Sequence, residues 1–334
     1  MMPAQGRWLR WAVGILGAAL ALRLAWGFPW RATAAAIVHA NGLLLLCALV
    51  INLISLVAKG WGWHLLLRAA APHRWIAAQE ANLLGAAVNS LTIAGVGEGA
   101  RVHFIVDRER IPLGLAVASV LWARIVEGIG LALSVLLAAS FLRLPAAIRG
   151  LEVALAATLF AALVAAWLGG RARLSTWLPR RVRAALSPLA QVGSAKRLCI
   201  PILFALVNWA AQWTTYHLAI RAMHVPVTFA ASFTALLMAN AGGVLRLTPA
   251  NVGVMQASIV IGLVPFGIAP EDAVAASLAL QVLQVLPVLA IGAALAARHR
   301  TAKALARRAE GGRAPKSPPA DTPADEGKAP VLTA

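Results

Sequence analysis

The chain has 334 residues, 60% hydrophobic and 13% charged, with a mean hydropathy of +0.78. Soluble domains carry about 25% charged residues, so composition excludes an ordinary soluble fold and indicates one embedded in lipid. The net charge of +18 would suit nucleic acid in a soluble protein. Here the basic residues gather between apolar runs and in the C-terminal tail, where topology and anionic lipid account for them and no nucleic-acid partner is expected.

Apolar runs at 11–22, 42–58, 150–169, 198–212 and 273–297 do not alternate as membrane strands would. Several approach the ~20 residues a spanning helix needs. An all-α polytopic membrane protein is predicted. Cys47 and Cys199 lie in apolar runs without CxxC spacing, and the histidines are scattered, so no disulfide framework, metal site or cofactor is expected.

The basic N-terminus and first apolar run resemble a signal peptide. Arg23 follows the run without a convincing cleavage site, which favours a retained span over about 9–27. A second span, about 34–58, leads to Lys59, Trp61 and Trp63. The segment 171–197 holds seven basic residues and no acid, which places it in the cytoplasm, with both chain termini on the same side. Keeping it there requires residues 76–108 to dip into the membrane and return, between the second span and those at 112–140 and 150–169. By the same reasoning 227–266 dips in from the opposite face, between spans at 198–222 and 271–297. The prediction is about six full spans and two re-entrant hairpins within a membrane domain 1–298. Its halves cover about 34–140 and 198–297, and a disordered basic tail, 299–334, follows.

A shift of 158 residues pairs Asn82 with Asn240, Gly85 with Gly243, Gly95 with Gly253 and Glu98 with Gln256. One deletion later, Arg124 and Glu127 meet Gln281 and Gln284. Opposed hairpins at matching positions are the signature of an inverted repeat whose broken helices meet near the midplane.

The candidate chemistry lies in these hairpins. In the first, Gly95, Gly97 and Gly99 surround Glu98 and lead to Arg101; the run reads as a solvated interfacial turn or as a polar headgroup gate. Arg124 and Glu127 stand one turn apart in an apolar stretch. They form either a structural ion pair or a guanidinium fork for a phosphate or carboxylate, balanced by Glu98 and Glu127. In the second hairpin, Gly243, Pro249 and Gly253 interrupt the apolar sequence around Arg246, which either contacts an anionic substrate, pairs with Glu98 or Glu127, or snorkels outward. Gln256 and Gln281 replace the charges of the first half.

These motifs resemble the lysylphosphatidylglycerol synthase transmembrane-region family of flippase-like bacterial and archaeal proteins. The resemblance rests on Asn89 leading to Gly97-Glu98-Gly99-Ala100-Arg101, on Arg124-Ile125-Val126-Glu127, and on Pro249-Ala250-Asn251-Val252-Gly253-Val254-Met255-Gln256. Gln256 stands where the family carries a glutamate, Gln281 where it carries an arginine, and Ile93 in place of a hairpin proline. The resemblance implies movement of lipids or lipid-linked intermediates in a bacterial cytoplasmic membrane. The soluble aminoacyl-transfer domain of the synthases does not follow, so lysyl transfer is not expected, and no enzymatic activity is.

The expectation is therefore a translocase for an amphiphile with an anionic headgroup, with membrane lipids as partners. The alternatives are an accessory subunit of a lipid or envelope biosynthesis complex, docking through its basic loop and tail, and an integral-membrane transferase using Glu98 and Glu127. Lipid identity, direction, coupling and oligomeric state, a homo-oligomer included, stay open.

Overall fold

A computed structural model describes residues 38–69, 71–92, 95–142, 150, 195–245 and 251–311. All the regular structure in them is helical. The elements are α1 (Gly42–Arg68), α2 (Trp75–Leu91), α3 (Val96–Glu109), α4 (Leu113–Phe141), α5 (Ala195–Ala222), α6 (Phe229–Leu245), α7 (Val254–Leu263) and α8 (Pro270–Gly311). By length and composition α1, α4, α5 and α8 can each cross a membrane. The expected spans at 9–27 and 150–169 and most of the loop 171–197 lie outside the described residues. So do Arg246 and Pro249.

Local chemistry sets the helix ends. The Asn41 side chain accepts from the Leu44 backbone N–H at 3.2 Å and caps α1. Pro112 precedes α4. Glu271 and Asp272 occupy the first turn of α8, where carboxylates complement the helix dipole. Two boundaries differ from the sequence reading. The helix expected to end at 58 runs on to Arg68 and carries Lys59 inside it, because a carboxylate on another helix neutralises that lysine. The last helix continues past 298 to Gly311, so the start of the predicted disordered tail is helical.

Helices α1 and α5 pack antiparallel. Arg197 at the start of α5 donates to the Ala69 carbonyl at 3.0 Å, and the Asn41 N–H donates to the Ala222 carbonyl at 2.8 Å at the other end. Between the long helices lie two short hairpins. The base of α2–α3 sits where α1 ends and is closed by the Arg74 N–H donating to Glu109 at 3.3 Å. The hairpin α6–α7 starts from the other end, beyond Ala222.

Both hairpins turn on a glycine in the left-handed region immediately before the second helix, Gly95 (φ 89°) and Gly253 (φ 86°). In the first, α2 and α3 touch backbone to backbone: a Cβ on Gly97 would strike the Gly85 carbonyl and the Asn89 side chain.

Apolar packing forms two separate cores. One gathers Trp63, Leu66, Ala78, Ile105, Ala116, Val126 and Ala205 around the first hairpin. The other gathers Val135, Tyr216, Phe233, Leu236, Ile259 and Leu280 around the second. Polar side chains from α1, α4, α5 and α8 form a waist between them. Trp63, placed by the sequence reading beyond the end of the second span, lies inside α1, is 1% exposed and donates to Ser119 at 2.9 Å.

The glycine contact gives a stability test. Gly97→Ala should lower the thermal midpoint in detergent, at a cost of about 1–3 kcal/mol for an overpacked site. Gly99→Ala, which faces open space, should leave it unchanged or slightly raised. Equal midpoints for the two variants would contradict the close approach.

Candidate functional site

The waist takes its charge from three helices. On α4, Arg124 and Glu127 pair one turn apart at 3.1 Å. The second amino group of Arg124 reaches Glu98 at the start of α3. Glu127 is also bound by Lys59 of α1 at 3.2 Å. Asn89, near the end of α2, holds the same hairpin tip from the other side. It donates to Glu98 at 3.2 Å and accepts from the Gly97 N–H at 3.2 Å. On α5, Trp209 donates from its indole N–H to the Glu127 carbonyl at 2.9 Å.

Expected and observed partners differ in one respect. Glu98 and Arg101, three residues apart, could have shared a face; the structure separates them. Gly97, Arg101 and Ile105 form the stripe that α3 buries. Glu98 lies to one side of it, towards α4. Arg101 is 4% exposed, and its guanidinium carbon stacks 3.7 Å from the centroid of a Trp63 ring. Arg124, read as a fork for substrate, has both amino groups taken up by Glu98 and Glu127.

The second hairpin repeats this geometry with neutral groups. Gln256 is the third residue of α7, as Glu98 is of α3. Its amide nitrogen donates to Gln281 of α8, while its amide oxygen accepts from the Gly253 N–H at 2.6 Å. Arg124 lies eleven residues into α4 and Gln281 eleven into α8. That is about 16 Å along each helix, a length comparable to half a hydrocarbon core of about 30 Å. Each hairpin tip is thus tied to the next long helix at the same distance from its start. Gly243, which faces Asn251, lies in the last turns of α6.

Between the tips runs a line of polar contacts. Gln284, one turn past Gln281, donates to Gln212 at 3.2 Å, and Gln212 donates to the Ser55 hydroxyl at 3.0 Å. Ser55 is one turn before Lys59 on α1. Asn52, a turn earlier still, donates to the Leu283 carbonyl at 3.3 Å. A cavity of about 20 Å³ beside the waist is lined by Lys59, Trp63, Glu127 and Asn208 among others, space for about one water molecule. The charged end of the waist opens to the bundle surface at Arg124, whose side chain is 44% exposed.

The sequence reading missed Lys59, Gln212 and Ser55. Lys59 was visible as an intrahelical charge only if the apolar run was allowed to continue through it to Trp63 and Leu67. Among the described residues no cluster of three or more His, Cys, Asp or Glu residues could hold a metal ion.

No curated protein matches the chain. The description of the lysylphosphatidylglycerol synthase TM region matches residues 9–292, a stretch that takes in both hairpins and every pair described above. With four membrane-capable helices and a match over most of its length, this multi-pass membrane protein belongs to the lysylphosphatidylglycerol synthase TM region family.

Proposed function

We propose that the protein moves an amphiphile with an anionic headgroup between the leaflets of a bacterial cytoplasmic membrane, without enzymatic chemistry. The headgroup crosses through the waist while its tails remain in lipid. The carrying observation is the charge count of the waist: Lys59, Arg101 and Arg124 against Glu98 and Glu127. Ionised residues inside a membrane are costly and mark pathways more often than scaffolds. Here they adjoin a surface opening at Arg124, through which a headgroup can enter sideways.

The two halves are read as an inverted repeat of re-entrant hairpins. Supporting this are the glycines with positive φ at matched positions, the tip residues third in their helices, and the ties eleven residues into the next helix. The end where α1 and α3 stop and α5 starts carries Arg68, Arg74, Arg108, Arg110 and Arg197, and is taken as cytoplasmic. The first hairpin then enters from the cytoplasm and the second from outside.

Two experiments test the reading. Reconstituted into vesicles, the protein should carry a headgroup-labelled anionic phospholipid across the bilayer at a rate that rises with protein copy number. A rate equal to that of protein-free vesicles would end the proposal. The repeat predicts that Glu98→Gln and Arg124→Gln each destabilise the fold, by about 2 kcal/mol, less than for a fully buried pair because Arg124 is partly exposed. The double variant, which copies the Gln256–Gln281 pair, should recover most of that loss in thermal unfolding. Additive losses would show that the two ties are not equivalent.

A further inference from the structure

Arg101 is the one cation of the waist whose position no carboxylate explains. Two of its nitrogens, Nε and Nη2, are buried with no hydrogen-bond partner among the described residues. Among the described residues no carboxylate lies within ion-pair distance of it. Glu127 is already claimed by Lys59 and Arg124, and Glu98 by Arg124 and Asn89. The guanidinium rests instead on Trp63, whose ring is fixed by its bond to Ser119, itself bonded to the Ala116 carbonyl at 2.7 Å. The cavity beside the waist adjoins that same tryptophan and presents the Lys59 side chain. A buried guanidinium with unpartnered N–H groups carries a desolvation cost that stacking on an aromatic ring returns only in part. Folding alone gives no reason to keep it.

We infer that Arg101 and Lys59, rather than Arg124, are the cations that bind the headgroup, and that the bound group is a monoanion of the phosphodiester type. The inference rests on the translocation reading and specifies its substrate. Three cations and two carboxylates leave a single positive charge, which one phosphodiester neutralises. Its two free oxygens suit the unpartnered nitrogens of Arg101 and the Lys59 ammonium. In this exchange Lys59 leaves Glu127, which keeps Arg124, so the tie on the hairpin tip stays intact while the headgroup is held. Arg101 is 4% exposed, so a headgroup that reaches its nitrogens requires α3 to move.

The test uses the full chain in a non-ionic detergent and follows thermal unfolding with three additives. These are a short-chain phosphatidylglycerol, a monoacylglycerol of the same chain length and inorganic phosphate. The wild type should gain several degrees with phosphatidylglycerol and little with the uncharged lipid. Arg101→Gln should be as stable as the wild type or more so without lipid, because it removes an unpaired buried charge, and should lose the phosphatidylglycerol increment. Arg101→Lys should retain part of it.

An undiminished increment in Arg101→Gln would overturn the inference, as would a loss of stability in that variant that Arg101→Lys restores without any lipid response. Stabilisation by inorganic phosphate but not by phosphatidylglycerol would overturn the assignment to a lipid headgroup. Transport of labelled phosphatidylglycerol by the same wild-type preparation separates the two claims. If it is absent, translocation fails whatever Arg101 does; if it is present in Arg101→Gln at the wild-type rate, only the assignment to Arg101 fails.

Discussion

Arg124 holds two carboxylates from one side chain, Glu127 on its own helix and Glu98 on the tip of the first hairpin. On the proposed reading the hairpin stops within the membrane, which leaves the ends of two helices, with their unsatisfied backbone N–H and C=O groups, where little water reaches them. Something must meet them there. Asn89 answers the Gly97 N–H and Glu98 together, and Arg124 answers Glu98. The tip is thereby fixed to α4, and the rest of the waist follows from that attachment. Once Glu127 is beside Arg124, Lys59 becomes tolerable within α1, and α1 can remain helical for a further nine residues, to Arg68.

The second hairpin solves the same problem without ions. Gln256 uses its oxygen for the Gly253 N–H and its nitrogen for Gln281. An amide, unlike a carboxylate, can both accept and donate, so it needs no counter-charge. The two cores on either side of the waist are apolar in similar ways. What distinguishes the halves is the currency of the tie, electrostatic in one and neutral in the other.

Much of this was legible in the sequence because polar residues are conspicuous against an apolar background. Glu98, Arg124, Glu127, Gln256 and Gln281 could be found by inspection, and the 158-residue shift aligned the two turn glycines. Loop charges called for two segments that are not full spans, and the short helices α2–α3 and α6–α7 stand at those positions. Other features depend on partners that sequence distance hides. Lys59 stands at the end of an apolar run and reads as a boundary; only a carboxylate on α4, far along the chain, makes it an interior residue. The spacing of Glu98 and Arg101 satisfied the rule for a helical pair, yet α3 buries the 97–101–105 stripe and turns Glu98 towards α4. Trp63 stood beyond the predicted end of the span at 58, yet α1 runs through it and Ser119 gives its N–H a buried acceptor. In each case a tertiary contact overrode a rule that is correct for an isolated helix.

The asymmetry bears on how a site at mid-depth could release what it binds. A transport site must attract its cargo strongly enough to draw it from one side and weakly enough to let it go on the other. A waist charged on both hairpins would hold an anionic headgroup from either face; one neutral on both would not desolvate it. On the proposed reading, gathering the cations around the tip of one hairpin and amides around the tip of the other grades the field along the path. The line from Lys59 through Ser55, Gln212 and Gln284 to Gln281 then offers hydrogen bonds without further charge. On the proposed reading, this gradation sets the site's affinity from the first hairpin's side, and the amide side provides the way out.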